Sequence, residues 1–149
     1  MLRLSTKSEL EIFDQLDHQS HAIGFVAKTG LKLHQRYFDD PDINYLSIEN
    51  NKGELSGYFI LVIERLNQSV EFRRILIDNK NLGMGQTAIS EMEMYCRDHF
   101  DVERIWLDVY EDNVIGKHVY EKLGYTKFKE QPEGESCLLY TSPSPRDRG

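Results

Sequence analysis

Apolar residues along this 149-residue chain recur with two different periods. Short apolar runs rich in β-branched residues are typical of buried strands, whereas apolar residues spaced by three and four are typical of amphipathic helices. The pattern predicts strands and helices that alternate within one domain. The predicted strands are Leu2–Ser5, Tyr45–Glu49, Leu55–Arg65, Val70–Ile77, Arg104–Val109 and Tyr125–Lys129. One helix is predicted directly after the Thr6–Glu9 capping box, and the others are predicted at Leu31–Phe38, Ala88–Cys96 and Val114–Leu123.

The most informative stretch is the predicted strand, glycine turn and helix that run from Val70 to Cys96. The turn contains Gly83 and Gly85, directly before the helical spacing begins. A helix start has unpaired N–H groups and partial positive charge, and glycine lets a phosphate approach that backbone closely. A tight turn that binds no ligand explains the same pattern, so both interpretations stay open. The turn is not a Rossmann fingerprint, because Ala88 stands at the third glycine position, and it lacks the G-K-[ST] of a Walker A loop.

The second half of the chain carries a longer motif after the predicted strand Arg104–Val109. Its spacing is Asn113-x-x-Gly116-x-x-x-Tyr120-x-x-x-Gly124-Tyr125. This motif resembles the second signature of the GCN5-related N-acetyltransferases, the acyl-CoA-dependent GNAT superfamily. The first signature of that family, [QR]-x-x-G-x-[GA], corresponds to Lys80-x-x-Gly83-x-Gly85, with lysine where arginine or glutamine is usual. The two motifs occur in the family's order, and the resemblance extends over about residues 1–130.

The resemblance implies an α/β (α+β) GNAT fold. Its mixed, twisted central sheet would have about six to seven strands flanked by about four helices, with splayed central strands. The implied reaction is direct transfer of an acetyl group from acetyl-CoA, the co-substrate, to a primary amine, with no metal. The pantetheine arm would lie in the opening between the splayed strands, and the pyrophosphate on the turn. The implied cofactor-binding residues are Ile75, Leu76, Ile77, Lys80, Leu82, Gly83, Met84, Gly85, Gln86, Thr87, Asn113, Lys117 and Tyr120.

Two residues are candidates for the proton transfers. Tyr120 matches the family's tyrosine, and a phenol can protonate the departing thiolate as general acid; the alternative is a half-buried helix tyrosine that packs on the sheet. Glu71, upstream of the bulge expected in this strand, is the candidate general base, and the alternative is a surface ion pair with Arg73. Because side-chain alternation fails across a bulge, the sequence does not decide whether Arg73 or Arg74 faces the site.

Composition narrows the remaining function classes. A net charge of −7 and a pI near 5.2 argue against a nucleic-acid groove. Two cysteines make no disulfide framework, and no apolar run approaches a membrane span, so we expect a cytoplasmic protein. His18 and His21 lie close together, but polar loop residues explain them better than a metal site because no further ligands cluster nearby.

The C-terminal residues 137–149 call for a separate interpretation. The string CLLYTSPSPRD, Cys137–Asp147, matches the translated transposon-end adapter of tagmentation sequencing libraries. We therefore expect an acyltransferase domain over residues 1–136 that is truncated near Ser136, followed by a non-native tail; a natural Pro/Ser-rich tail is the alternative. The composition of Cys137–Tyr140 would allow a strand at the vacant edge, with Thr141–Gly149 loose on the surface.

The acceptor and the assembly stay open at this stage. The amine could be a small molecule, an amino acid, an aminoglycoside-like antibiotic or a protein N-terminus, and a homodimer is compatible with the sequence. A catalytically silent acyl-CoA-binding module is the rival class. Tyr120 favours the enzyme, because a silent module would not need it.

Overall fold

Strands and helices alternate in the computed structural model, which describes residues 1–18, 30–78, 84–100, 102, 104–110, 114–130 and 137–141. The strands are β1 (Leu2–Leu4), β2 (Ile43–Glu49), β3 (Leu55–Glu64), β4 (Ser69–Ile77), β5 (Arg104–Tyr110), β6 (Thr126–Glu130) and β7 (Cys137–Thr141). The helices are α1 (Leu10–Asp17), α2 (Leu31–Asp39), α3 (Gly85–Phe100) and α4 (Val114–Lys122). None of the described helices is long and apolar enough to cross a bilayer.

All seven strands join one mixed sheet in the order β1-β2-β3-β4-β5-β7-β6. Among the described strands, β4 and β5 pair in parallel and the other neighbours run antiparallel. The sheet separates two cores. The larger core lies between one face of the sheet and α3, and it includes Tyr120 of α4. The other core lies between the opposite face and α1, which contributes Leu10, Phe13 and Leu16, with partly buried apolar residues of α2 packed against it. The mixed α/β class, the strand number and the four helices confirm the predicted fold.

A β-bulge interrupts β4 at Arg73. Arg74 is paired with Ile60 of β3, but the next residue of β3, Leu61, is paired with Phe72, so Arg73 is the extra residue. Such an insertion breaks the alternation of side chains between the two faces. Phe72 and Ile75 therefore both contribute to the α3 core, while Arg73 and Arg74 both lie on the α1/α2 face.

The parallel pairing of β4 with β5 is short. It covers only Ser69–Glu71 of β4 and Arg104–Trp106 of β5. Beyond it, the rest of β4 is paired with β3 alone, and the rest of β5 with β7 alone. The two central strands therefore part just before the bulge, which confirms the predicted splay. We call the gap beyond Glu71 and Trp106 the β4/β5 opening.

On its other side, the carboxyl half of β4 lies unusually close to β3. A Cβ atom added to Gly57 would lie 2.1 Å from the carbonyl oxygen of Leu76 and 3.0 Å from the Cα atom of Ile77. No larger residue fits without a backbone shift. Gly57 thus fixes the half of β4 that borders the opening.

The last strand differs from the sequence prediction in its place. β7 lies inside the sheet between β5 and β6, not at an edge, and it pairs with both. It also includes Thr141, whose hydroxyl accepts a hydrogen bond from Nε of Arg104 at 2.9 Å, so Thr141 is not part of a loose tail. Residues 142–149 lie outside the described chain, and the adapter origin of residues 137–149 stays a prediction.

The capping box at the start of α1 connects the helix to the first strands. The Glu9 carboxylate accepts hydrogen bonds from the N–H of Thr6 at 2.9 Å and from Nη1 and Nη2 of Arg3 at 2.9 and 2.7 Å. The Ser47 hydroxyl also donates to it, at 3.1 Å. The hydrogen bonds from Arg3 are the main reason that the pKa of Glu9 falls from 4.5 to about 2. A carboxyl group with a lowered folded-state pKa stabilises the protein above its unfolded pKa.

We therefore predict that Glu9→Gln changes how stability depends on pH. The contribution of Glu9 should be complete above about pH 4.5 and lost as the pH falls toward about 2. Urea unfolding at pH 7 should show the variant less stable by about 2 kcal/mol, and the difference should vanish near pH 2. Glu11→Gln, on the exposed side of α1, is the matched control. A stability difference that persists unchanged to pH 2 would contradict the prediction.

Candidate active site

The β4/β5 opening lies at the carboxyl ends of two parallel strands, each of which is followed by a helix. The exposed backbone of β4 there can be derived from its pairing. The N–H of Asp78 donates to the Ser56 carbonyl at 2.8 Å, so the backbone of Asp78 points toward β3. Backbone direction alternates along an antiparallel strand, and Ile75 and Ile77 therefore turn their N–H and C=O groups toward the opening.

Of the residues predicted to bind the cofactor, the structure describes those on β4, at the start of α3 and on α4. Gly85 is buried and is the first residue of α3, whose first-turn N–H groups have no intrahelical acceptor. Met84, Gln86 and Thr87 are partly or fully exposed beside it, and Lys117 is partly buried on α4. The side chains of Ile75, Leu76 and Ile77 are buried in the two cores. Lys80, Leu82, Gly83 and Asn113 lie outside the described residues.

The end of α4 explains the spacing of Tyr120, Gly124 and Tyr125. Gly124 has a φ of +92°, a conformation that glycine adopts most easily. The N–H of Tyr125 donates to the Tyr120 carbonyl at 3.0 Å, and the N–H of Gly124 donates to the Glu121 carbonyl at 3.0 Å. These two bonds are a Schellman motif, which brings the residue after the glycine back onto the helix. The Tyr120 and Tyr125 rings consequently lie 6.0 Å apart, and the turn holds Tyr120 in place.

Tyr120 itself is buried against β4. It is only 7% exposed, and its ring packs edge-on against Phe72, with centroids 5.8 Å apart. Burial raises the pKa of Tyr120 well above its usual value, and the negative charge of Asp108 raises it further. The phenol is therefore protonated throughout the physiological pH range and can only donate its proton.

Glu71 lies at the last paired position before the opening. Arg73 donates two hydrogen bonds to its carboxylate, from Nε to Oε2 at 3.2 Å and from Nη2 to Oε1 at 3.0 Å. The guanidinium of Arg73 also lies 5.7 Å from the centre of the Tyr37 ring on α2. The ion pair between Glu71 and Arg73, which the sequence left as an alternative, is thus present. It engages both oxygens of the carboxylate that is the candidate base.

A further carboxylate at the opening, that of Asp108, was not among the sequence candidates. Trp106 is the parallel partner of Glu71, and Asp108 follows two residues later, so all three side chains lie on the α1/α2 face. Asp108 is exposed and lies beyond the end of the parallel pairing. Burial is the main reason that the pKa of Tyr120 is raised, and the charge of Asp108 raises it further. Burial lowers the pKa of Arg73, but Glu71, and to a smaller extent Tyr37 and Asp108, raise it overall. The only sequence signal was a single acidic residue in an otherwise apolar strand.

Comparison with known proteins decides the family. The model of the acetyltransferase (GNAT) family matches residues 11–125. The chain belongs to the GNAT acetyltransferase family. Members of this family use acetyl-CoA as co-substrate. No curated protein matches the sequence.

Solved structures give the same fold at low sequence identity. A chimera of spermidine N-acetyltransferase SpeG from Vibrio cholerae and hSSAT is 17% identical, with a TM-score of 0.80 over 100% of this chain and 99% of that one. The dodecameric structure of spermidine N-acetyltransferase from Vibrio cholerae is 19% identical, with a TM-score of 0.72 over 95% of this chain and 90% of that one. At such identities the likeness concerns the fold alone.

A buried polar network distinguishes the α1/α2 face of this GNAT domain. The Asp17 carboxylate accepts hydrogen bonds from Nε2 of His34, at 2.7 Å, and from the hydroxyl of Tyr58. Nδ1 of His34 lies 2.7 Å from the hydroxyl of Tyr45. Burial raises the pKa of both tyrosines well above the usual range, so their hydroxyls stay protonated. The network connects the end of α1, the middle of α2 and the strands β2 and β3.

Arg74 connects this network to the bulge. Its Nη1 lies 3.6 Å from Oδ2 of Asp17 and donates to the Tyr58 hydroxyl at 3.4 Å. The side chains of Asp17 and His34 are completely buried, and that of Arg74 is 16% exposed. The two arginines beside the bulge thus have different roles, because Arg74 turns inward to Asp17 while Arg73 stays near the surface with Glu71. The sequence left open which of the two arginines faces the site, and the structure places both on the α1/α2 face.

Two described histidines, His18 and His34, bear on the question of a metal site. His18 donates from Nδ1 to the Asp14 carbonyl at 2.7 Å and is exposed, and His21 lies outside the described chain. Asp14, Asp17 and His34 have atoms within 4.8 Å of one another that could hold an ion. Both ring nitrogens of His34 are already engaged by Asp17 and Tyr45, so the group forms a hydrogen-bond network as it stands.

We predict that Asp17→Asn strongly destabilises the domain. The change leaves Arg74 without its buried counter-charge and places an N–H₂ group where the Tyr58 hydroxyl and the His34 ring now donate. Loss of one partner from a buried pair costs about 3 kcal/mol or more. The matched control is Asp42→Asn, which breaks an exposed pair with Arg65 at 3.1 Å and should cost less than about 1 kcal/mol. Urea unfolding at pH 7 measures both, and equal losses would contradict the prediction.

Proposed function

We propose that the protein transfers an acetyl group from acetyl-CoA to a primary amine, by direct attack of the amine on the thioester. Membership of the GNAT family supports the acetyltransferase class. The observation that carries the proposal is the β4/β5 opening, with an unpaired backbone edge on β4 on one side and a buried, protonated Tyr120 beside it. A thioester held along that edge would meet the tyrosine where the thiolate departs.

The opening has the chemistry that coenzyme A requires. The pantetheine arm contains amide groups, which would pair with the backbone of Ile75 and Ile77 as an added strand does. The pyrophosphate would lie on the first-turn N–H groups of α3, at Gly85, Gln86 and Thr87, where the helix has partial positive charge. Leu76 and Met84 lie beside these positions, and Lys117 would add a positive charge from α4. Lys80, Leu82, Gly83 and Asn113 stay predicted ligands.

The proton transfers can be followed atom by atom. The acceptor enters as an ammonium and first loses one proton to a base. The lone pair of its nitrogen then forms a bond to the carbonyl carbon of the thioester, and the carbon–sulfur bond breaks with its electron pair on sulfur. Tyr120 donates its phenolic proton to that thiolate and regains a proton from the nitrogen of the new amide. The net products are an amide, coenzyme A with a free thiol, and one proton released to solvent.

Glu71 stays a candidate for the first proton acceptor. Its carboxylate lies at the edge of the opening, but it would have to act while it is held by Arg73 or after it exchanges that partner. A water molecule between Glu71 and the amine would serve the same purpose. A cytoplasmic location and a homodimer also stay predictions.

The rival function is a catalytically silent acyl-CoA-binding module. The buried position of Tyr120 favours the enzyme, because the Schellman turn and Phe72 hold its ring beside the opening. The direct test incubates the protein with acetyl-CoA and an amine panel of spermidine, lysine, an aminoglycoside and a peptide N-terminus, and measures release of free thiol. Release with at least one amine above the hydrolysis background is expected. Binding of acetyl-CoA without release for any amine would favour the silent module.

The first prediction for this site concerns the cofactor. Gly85→Val places a β-branched side chain where the proposed pyrophosphate would approach the start of α3, so affinity for coenzyme A should fall by about tenfold or more. Calorimetric titration with coenzyme A measures the change. Ser90→Val, one turn further along α3, controls for the cost of a β-branched residue in the helix. Unchanged affinity in Gly85→Val would contradict the assignment.

The second prediction concerns the acid. Tyr120→Phe removes one oxygen and little volume, so the fold and coenzyme A affinity should persist, while kcat should fall by about 10²-fold. Because the pKa of Tyr120 is raised, its deprotonation should cause no loss of activity below about pH 10 in the wild-type enzyme. Tyr125→Phe, in the neighbouring ring, is the matched control and should change kcat little. If Tyr120→Phe kept its full kcat across the pH range, another group would deliver the proton.

A further inference from the structure

The carboxylates near the β4/β5 opening differ in how they are paired. The carboxylates of Asp17, Glu71 and Asp108 lie on the α1/α2 face near the bulge, and that of Asp14 lies close to Asp17. Arg73 neutralises Glu71 at 3.0 Å, and Arg74 lies 3.6 Å from Asp17. Within the part of the chain that the structure describes, the side chain of Asp108 has neither a hydrogen bond nor an ion pair. Among the described residues, Asp108 is therefore an exposed carboxylate at the opening that no side chain pairs with directly.

The position of this charge follows from the strand register. The parallel pairing stops at Trp106, so Asp108, two residues on along β5, borders the gap on the α1/α2 face. Tyr120 reaches the same gap from the opposite face, where its ring packs on Phe72. The gap thus has a proton donor on one side and an exposed carboxylate on the other. Asp108 also contributes to the raised pKa of Tyr120, which is consistent with this proximity.

We propose that Asp108 is the acceptor-binding residue of this enzyme: it pairs with the ammonium group of a cationic primary amine and positions that nitrogen opposite Tyr120. This inference rests on the proposed acetyltransferase function and specifies its acceptor as a cationic alkyl amine. Glu71 is less suited to this role, because both of its oxygens are held by Arg73 and its side chain is only 14% exposed. Asp108 is exposed, so it can exchange water for the substrate's ammonium.

The test compares Asp108→Asn with the wild-type protein, using spermidine as the probe for turnover and binding. Loss of one charge-assisted hydrogen bond should raise the KM for spermidine by about tenfold to a hundredfold, with the KM for acetyl-CoA unchanged. Asp108→Glu should recover part of the loss. Asp98→Asn removes an equal charge from the exposed side of α3 and should leave both KM values unchanged.

Two further measurements separate charge pairing from a structural effect. Hydroxylamine is uncharged at neutral pH, so its KM should be the same in Asp108→Asn and the wild type. Added salt should raise the wild-type KM for spermidine more than that of the variant, because salt screens only the pair that is present. An unchanged KM for spermidine in Asp108→Asn, or an equal loss for hydroxylamine, would overturn the assignment.

Calorimetric binding of spermidine to the protein saturated with coenzyme A distinguishes this inference from the proposed function. If the wild type binds spermidine but turns over no amine of the panel, and Asp108→Asn loses the binding, the acceptor site is supported and the acetyltransferase is refuted. Turnover of spermidine with equal binding by both proteins would support the acetyltransferase and refute the role of Asp108. Neither turnover nor binding of spermidine by the wild type would refute the role of Asp108 for this amine, and the thiol-release panel then tests the acetyltransferase alone.

Discussion

The site depends on one local irregularity, the extra residue at position 73 of β4. Without it, β4 would alternate strictly, and Arg73 and Arg74 would lie on opposite faces. The bulge lets Phe72 and Ile75 both enter the α3 core while two arginines lie on the other face. A bulge also bends its strand and increases the local twist, and the pairing of β4 with β5 ends two residues earlier. The same irregularity thus opens the sheet and supplies the positive charges beside the opening.

Buried charges beside such an opening need compensation, and the α1/α2 layer provides it. Arg74 would be a costly residue to place under two helices, yet Asp17 lies close enough to pair with it, and Tyr58 and His34 complete the hydrogen bonds of that carboxylate. The network therefore fixes α1 and α2 on the sheet next to the bulge. The outer carboxylates differ from Asp17, because Glu71 is paired with Arg73 near the surface and Asp108 is exposed.

Local signals allowed most of the fold and the turn that holds Tyr120 to be predicted. The helix start at Gly85 follows from glycines before apolar residues at helical spacing, and the capping box before α1 follows from Thr6 and Glu9. The spacing of Tyr120, Gly124 and Tyr125 describes a Schellman turn, which depends only on neighbours along the chain. Each of these features is complete within a few residues, so the sequence contains all the information that determines it.

The remaining features depend on residues far apart in the chain, and the sequence does not reveal them. His34 has the helical spacing of an apolar core residue, and nothing near it indicates that Asp17, seventeen positions earlier, binds its ring. The place of β7 is similar, because composition predicts a strand while the exposed edges of β5 and β6 determine where it is inserted.

Asp108 shows the principle most clearly. An aspartate in an apolar strand is ambiguous until one knows that pairing stops at Trp106 and that the arginines at the bulge already hold Glu71 and Asp17. Its significance comes from the charges that the fold brings together around it, and these include no second positive group for Asp108 among the described residues.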